Sequence, residues 1–225
     1  MGDPPRTIQP GNRKHESNLE TQSRISYAPM PTSTEVHAEI AAAVDAYRAD
    51  ADISHLLDRI ERTARTTDPA TLAAAVEPFR GIPEVAGPAY EHIVAAAPHD
   101  ARALVILANA YWLAGRGPDE VAALASRAIA ADPDHRGAWH LWALAEPDLR
   151  ARVGRWRQVA NRFPQDPLAR ASLADNATSL ATAEHDREAL DLAISTYMEL
   201  LALAERDEER QALERAIETL RGWRI

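Results

Sequence analysis

No cysteine occurs in the 225 residues, so disulfides, zinc–thiolate sites and cysteine nucleophiles are excluded. Aromatic residues make up only 5% of the chain and β-branched runs are nearly absent, which argues against an all-β fold. Glycine is scarce at 9 residues while alanine supplies roughly a fifth of the chain, a balance that favours helix. No apolar run approaches the ~20 residues that a membrane span needs. The N-terminus lacks the apolar core of a secretory signal. Its MGDPPR start places Arg6 where the myristoylation pattern requires Ser or Thr. These absences lead to the expectation of a cytoplasmic protein with no membrane partner. Lysine is missing except for Lys14 among 25 basic residues, which together with the alanine load is the composition of a GC-rich bacterial genome.

The formal net charge is −9. Four basic and three acidic residues within the first 31 leave the remaining body at −10. Such a body has no general affinity for phosphate backbones or anionic lipid surfaces, so no nucleic-acid partner is expected.

Residues 1–31 carry five prolines and no helical period. They are expected to be a disordered tail, either passive or a tethered docking peptide. Met30, just before a helix start, is an alternative initiator. A helix pair is expected over 32–66. Thr32 and Glu35 have capping-box spacing. Val36, Ile40, Val44 and Tyr47 form one stripe, and Ile53, Leu56, Leu57, Ile60 and Ala64 form another. Proline in the first turn predicts four later helix starts, at Pro69, Pro118, Pro147 and Pro167. Pro88 predicts either a start or a kink.

Pro98, Pro133 and Pro164 each follow a helix ending and precede a new apolar stripe, at spacings of 35 and 31 residues. A repeat of that length, made of two helices, is the unit of stacked solenoids. The stretch Ala101–Pro133 carries Leu107, Ala108 and Tyr111, then Gly115, then Ala125, Ala128 and the closing Pro133. In these residues the chain resembles the tetratricopeptide repeat (TPR) family. Neighbouring units keep Tyr90, Ile93 and Pro98, then Trp139, Trp142, Ala143, Trp156, Val159 and Pro164, then Leu173, Ala174, Glu188 and Ala189. The resemblance implies an all-α, right-handed α-solenoid of antiparallel helix pairs with about ten or eleven helices. Repeats would span 67–204, and 205–225 would be a capping helix with Leu213, Ala216, Ile217 and Leu220 on its apolar side.

One stretch looks at first like a metal site. ADPDHRGAWHLW brings Asp132, Asp134, His135 and His140 within nine residues. His135 and His140, however, lie about 500° apart around a helix and share no face. The same joint recurs at Pro98-His99-Asp100 and Pro164-Gln165-Asp166. The acidic residues there cap the next helix, so no metal is expected.

The resemblance also implies a concave groove lined by the first helix of each repeat. Transferred residue by residue, it would present Arg102, Val105, Asn109 and Trp112, then His140 and Leu144, then Ala171 and Asp175. Asn109 matches the asparagine of the family's carboxylate-clamp subset. The clamp lysines have no counterpart, because Val105 stands where one belongs and Lys14 lies in the tail. Trp112 is either a hot-spot anchor or an aromatic packed between helices. Five arginines on the helix after Asp148 are either a solvated, ion-paired face or a contact for an anion or acidic partner.

No phosphate-binding loop, dinucleotide fingerprint, metalloprotease motif or nucleophile elbow is present, and no cofactor is implied. The leading expectation is a non-catalytic scaffold that binds a protein or peptide partner. A ligand-responsive regulator and an enzyme with an unrecognised site are the alternatives. The terminal helices offer a homodimer face.

Overall fold

A computed structural model of the chain describes residues 1, 2 and 31–224, so the expectations for the tail and for Met30 fall outside the described residues. From Pro31 onward the described residues form eleven α-helices and one 3₁₀ turn, with no strand among them. The helices are α1 (Ser33–Asp50), α2 (Ile53–Thr66), α3 (Pro69–Val76), α4 (Pro83–Ala96), α5 (Ala101–Leu113) and α6 (Pro118–Ala131). They continue with α7 (Arg136–Leu144), α8 (Leu149–Arg162), α9 (Pro167–Glu184), α10 (Arg187–Leu203) and α11 (Asp207–Arg221). The 3₁₀ turn, Glu77–Phe79, follows α3 directly. None of these helices is long and apolar enough to cross a membrane.

Aspartate supplies most of the punctuation. Asp52, Asp68, Asp100, Asp148, Asp166 and Asp186 are the N-caps of α2, α3, α5, α8, α9 and α10, and each accepts a hydrogen bond from a first-turn amide. A cap of this kind contributes about 1 kcal/mol relative to alanine. Thr32 and Glu35 form the complete capping box on α1. Their shared hydrogen bonds hold the Glu35 carboxyl below its usual range. α5 ends in a full Schellman motif. Gly115 has φ of 69°, its N–H donates to the Trp112 carbonyl, and the Arg116 N–H donates to the Tyr111 carbonyl.

The three proline joints are one structure used three times. The N–H groups of Ala97, Asp132 and Phe163 close the outgoing helices on Ile93, Ala128 and Val159, at 2.9, 2.8 and 2.9 Å. Three residues later, Asp100, His135 and Asp166 donate back to the carbonyls of Ala97, Asp132 and Phe163, at 3.1, 3.1 and 2.9 Å. Asp100 and Asp166 then cap the next helix, whereas the His135 side chain does not.

Proline opens α3, α6 and α9 as expected, but the start read at Pro147 needs correction, and of the two readings of Pro88 the helix start is excluded. α8 begins at Leu149, because the Asp148 carboxylate takes the Ala151 N–H at 2.8 Å and so sets the cap beyond Pro147. α4 begins at Pro83 and runs through Pro88. Val85, Ala86, Gly87, Ala89, Tyr90, Ile93 and Val94 are all buried on that helix. Enclosure between α2, α3 and α5 offsets the backbone hydrogen bond that Pro88 cannot make.

Packing divides the array into two styles. α1 packs on α2 and α3, and α4 packs on α2 and α3, which closes a ring of four helices. From α5 to α11 each helix packs mainly on its neighbours along the chain, with an added contact between α5 and α7. Two apolar cores result, and they meet at α7. The first runs from Val36 to Ala145 and the second from Ala143 to Leu220, with Trp142 packed against both. The stripe expected on α2 is narrower than read. Leu56, Ile60 and Ala64 are buried, while Ile53 and Leu57 are 44% and 37% exposed.

Candidate functional site

Helices α5, α7 and α9 carry the residues of the expected groove, and α3 precedes them in the same layer. α5 packs directly on α7, but α3 meets α5 mainly through α4, and α7 meets α9 mainly through α8. The layer is therefore open at two places.

The first opening, between α3 and α5, is a cavity of about 220 Å³. α4 supplies its floor through Tyr90 and Ile93, and Ala73, Ala103 and Ile106 supply its apolar walls. At its rim Arg102 Nη2 donates to Glu77 Oε1 at 2.8 Å, and Arg80 shares the same oxygen at 2.9 Å. Burial pushes the Tyr90 hydroxyl above its usual pKa, and the negative charge of Glu77 adds to the effect. α3 is only eight residues long and turns into the 3₁₀ segment. That shortness leaves a hollow above α4, at whose bottom Tyr90 and Ile93 are only 3% and 4% exposed.

The second opening is bridged by polar groups. His140 Nε2 and Asp166 Oδ2 are hydrogen-bonded at 2.6 Å, and Arg136 Nε lies 3.8 Å from the same oxygen. The other Asp166 oxygen accepts from the first amides of α9. Asp166 is 4% exposed, so these donors offset the desolvation of its charge. The His140 ring also lies 5.5 Å from that of Trp156.

The remaining sequence-predicted residues are partly gathered and partly dispersed. Arg102 is exposed, Val105 and Asn109 are half-buried, and Trp112 is 38% exposed, all on α5. Val105 is spent on packing, since its Cγ1 lies 3.4 Å from where a Cβ on Gly137 would stand. Asn109 makes no hydrogen bond to any described residue. Trp112 belongs to neither apolar core. Leu144 packs into the second core, and Ala171 is half-buried. Asp175 is turned toward α10, where it accepts from the Tyr197 hydroxyl. The groove residues thus form a continuous stripe on α5, and beyond it they are tied to separate neighbours.

The end of α5 is held to α4. Tyr111 Oη donates to Glu91 Oε1 at 2.7 Å, and the Arg116 guanidinium stands 4.1 Å over the Tyr111 ring. Burial, followed by the hydrogen bond to Glu91, pushes the Tyr111 hydroxyl up to about 12. Tyr197 is pushed up to about 12 in the same way, by burial and then by Asp175.

The residues of ADPDHRGAWHLW point in different directions. Asp132 accepts the Asp134 N–H, Asp134 pairs with Arg162, and His140 goes to Asp166. Among the described residues no group of three or more His, Cys, Asp or Glu side chains is arranged to hold a metal ion.

Of the cavity residues, Glu77 and Ile106 escaped the sequence reading, and Tyr90 and Ile93 entered it only as repeat positions. The signal was present in Glu77-Pro78, which ends α3 early.

No protein-family profile matches the chain, and no curated protein matches it. Solved structures do. One crystal structure of MamA superposes with a TM-score of 0.52 at 16% identity, covering 75% of this chain and 95% of that one. A second MamA crystal structure gives 0.50 at 16% identity, covering 77% and 97%. A thermophilic TPR protein of Thermus thermophilus gives 0.49 at 17% identity, covering 82% and 98%. The fold is a TPR-like α-solenoid of antiparallel helix pairs, as the repeated proline joint and the sequential packing require.

Proposed function

We propose that this chain is a non-catalytic interaction scaffold that binds a peptide or protein partner along α5, with the α3–α5 cavity receiving one partner side chain. The observation that carries this reading is the open cavity itself. It has an apolar floor, a charged Glu77–Arg102 rim, and the unspent Asn109 amide and exposed Trp112 farther along the same helix. An apolar hole beside polar groups of fixed geometry suits an anchoring side chain within a backbone that also needs hydrogen bonds. In this reading residues 32–66 and 205–225 terminate the 67–204 repeats and carry no contact of their own.

The test begins with peptides selected from a random display library against the full chain. Trp112→Ala and Asn109→Ala should each weaken the selected peptide about tenfold or more, with the unfolding midpoint unchanged. Unaltered affinity in both variants would remove the α5 stripe from the binding surface.

A further inference from the structure

Four of the five arginines on α8 are spent inside the molecule. Arg150 pairs with Glu184 and Asp186, and Arg162 pairs with Asp134. Arg155 pairs with Glu146 and the Trp142 carbonyl, and Arg152 donates to Asn176 and the Glu146 carbonyl. Arg157 has no partner among the described residues. It stands where two adjoining cavities of about 360 and 190 Å³ meet, and it lines both together with Leu192 of α10.

Arg170 of α9 lines the larger cavity too. Its side chain is only 16% exposed. Its Nε reaches Glu199 Oε2 at 3.3 Å, and its Nη1 is buried with no hydrogen-bond partner. A guanidinium donor removed from water and left unserved is costly, and a further acceptor at that place recovers the loss. No other group of the lining accepts from that donor in this structure. Ser195 and Thr196 both send their hydroxyl protons to the Leu192 carbonyl, and the Asn161 side chain makes no hydrogen bond to a described residue. Within the larger cavity the one carboxylate is Glu199, which is 63% exposed, while Asp186, paired with Arg150, and Glu188 line the smaller one. Two cations thus face one anion, above an apolar floor of Ala160, Leu173 and Leu192.

We propose that this cavity binds a small organic oxyanion, a carboxylate or phosphate ester with a short apolar body, held between Arg157 and Arg170. Planar guanidinium forks match the paired oxygens of both groups. The volume lies at the lower end of the range of small-molecule sites. The site shares no lining residue with the α3–α5 cavity and is independent of partner binding there.

The experiment is a calorimetric titration of the full chain at low ionic strength with two probes, succinate and phenyl phosphate. Saturable one-to-one binding of either probe is expected, and the stronger probe identifies the source of the oxyanion. Arg157→Gln changes an exposed, unpaired side chain and should weaken that binding about tenfold or more. Arg170→Gln should do the same. Arg62→Gln, which alters an arginine of another surface on α2, should leave it unchanged. Absence of saturable binding with both probes would overturn the proposal, as would equal weakening by Arg157→Gln and Arg62→Gln.

Discussion

Helices α1–α4 and helices α5–α10 are written in the same local grammar and packed in different ways. In the first group each helix has two neighbours within the group, and the ring closes around Val36, Ile40, Leu56, Ile60, Leu72, Val76, Val85 and Ala89, all 3% exposed or less. In the second group most contacts run from one helix to the next along the chain. Its first-helix layer is joined by packing at α5–α7, and at α7–α9 by a polar bridge from His140 and Arg136 to Asp166. Closure multiplies the apolar contacts each helix makes, so the ring is a cooperative base. The open array depends on nearest neighbours and polar links, and its surface can adjust in small steps.

The largest expected effect comes from breaking the base. Ile60 is 1% exposed, and Ile60→Ala should cost about 2–5 kcal/mol in urea unfolding, because a cavity opens in a ring that cannot collapse around it. A loss below 1 kcal/mol would mean that the ring is loosely packed. His140→Ala should cost about 2 kcal/mol, since Asp166 stays buried with one of its side-chain donors removed. That loss should appear as faster amide exchange in α7–α9, with α1–α4 unaffected. Faster exchange throughout the chain would erase the distinction between the two regions.

The smallest effect concerns alkaline pH and sharpens the comparison within the array. Tyr111 and Tyr197 are held neutral up to about 12, against an ordinary value near 10. A raised folded-state pKa contributes stability that is complete below pH 10 and is lost as pH rises from 10 through 12. Both tyrosines lie on α5 and α10, outside the ring. The unfolding midpoint should therefore decline across that window. The double variant Tyr111→Phe, Tyr197→Phe should flatten the decline, and an identical slope in the variant would assign it to other groups.

What the sequence revealed, and what it concealed, follows from the range of each interaction. The capping box of Thr32 and Glu35, the Asp68 and Asp166 N-caps and the three proline joints all operate within a few residues, so their spacing in the chain was sufficient to find them, whereas Pro147 drew attention away from the true cap, Asp148. The Gly115 turn is equally local. The His140–Asp166 bridge joins residues 26 apart, and it exists only because stacking sets α7 beside the start of α9. Asp175 was read by its place on the helix alone, and its partner Tyr197 is set by the packing of α9 on α10. Ile53 and Leu57 obeyed the helical period but remain exposed, because the ring covers a narrower strip of α2 than the period allows. The α3–α5 cavity was hidden for a different reason: it arises where a helix stops short, and a shortened helix reads as a weak repeat.

Native-state hydrogen exchange, resolved by helix and followed across increasing denaturant, tests most directly that a closed base supports an open array. Amides of α1, α2, α3 and α4 should converge on one common opening free energy, the highest in the molecule, while those of α7–α9 exchange through a lower and separate opening. If α1 and α2 open together while α3 and α4 stay protected, or if every helix shares one opening, the closed ring and its contrast with the array are both wrong.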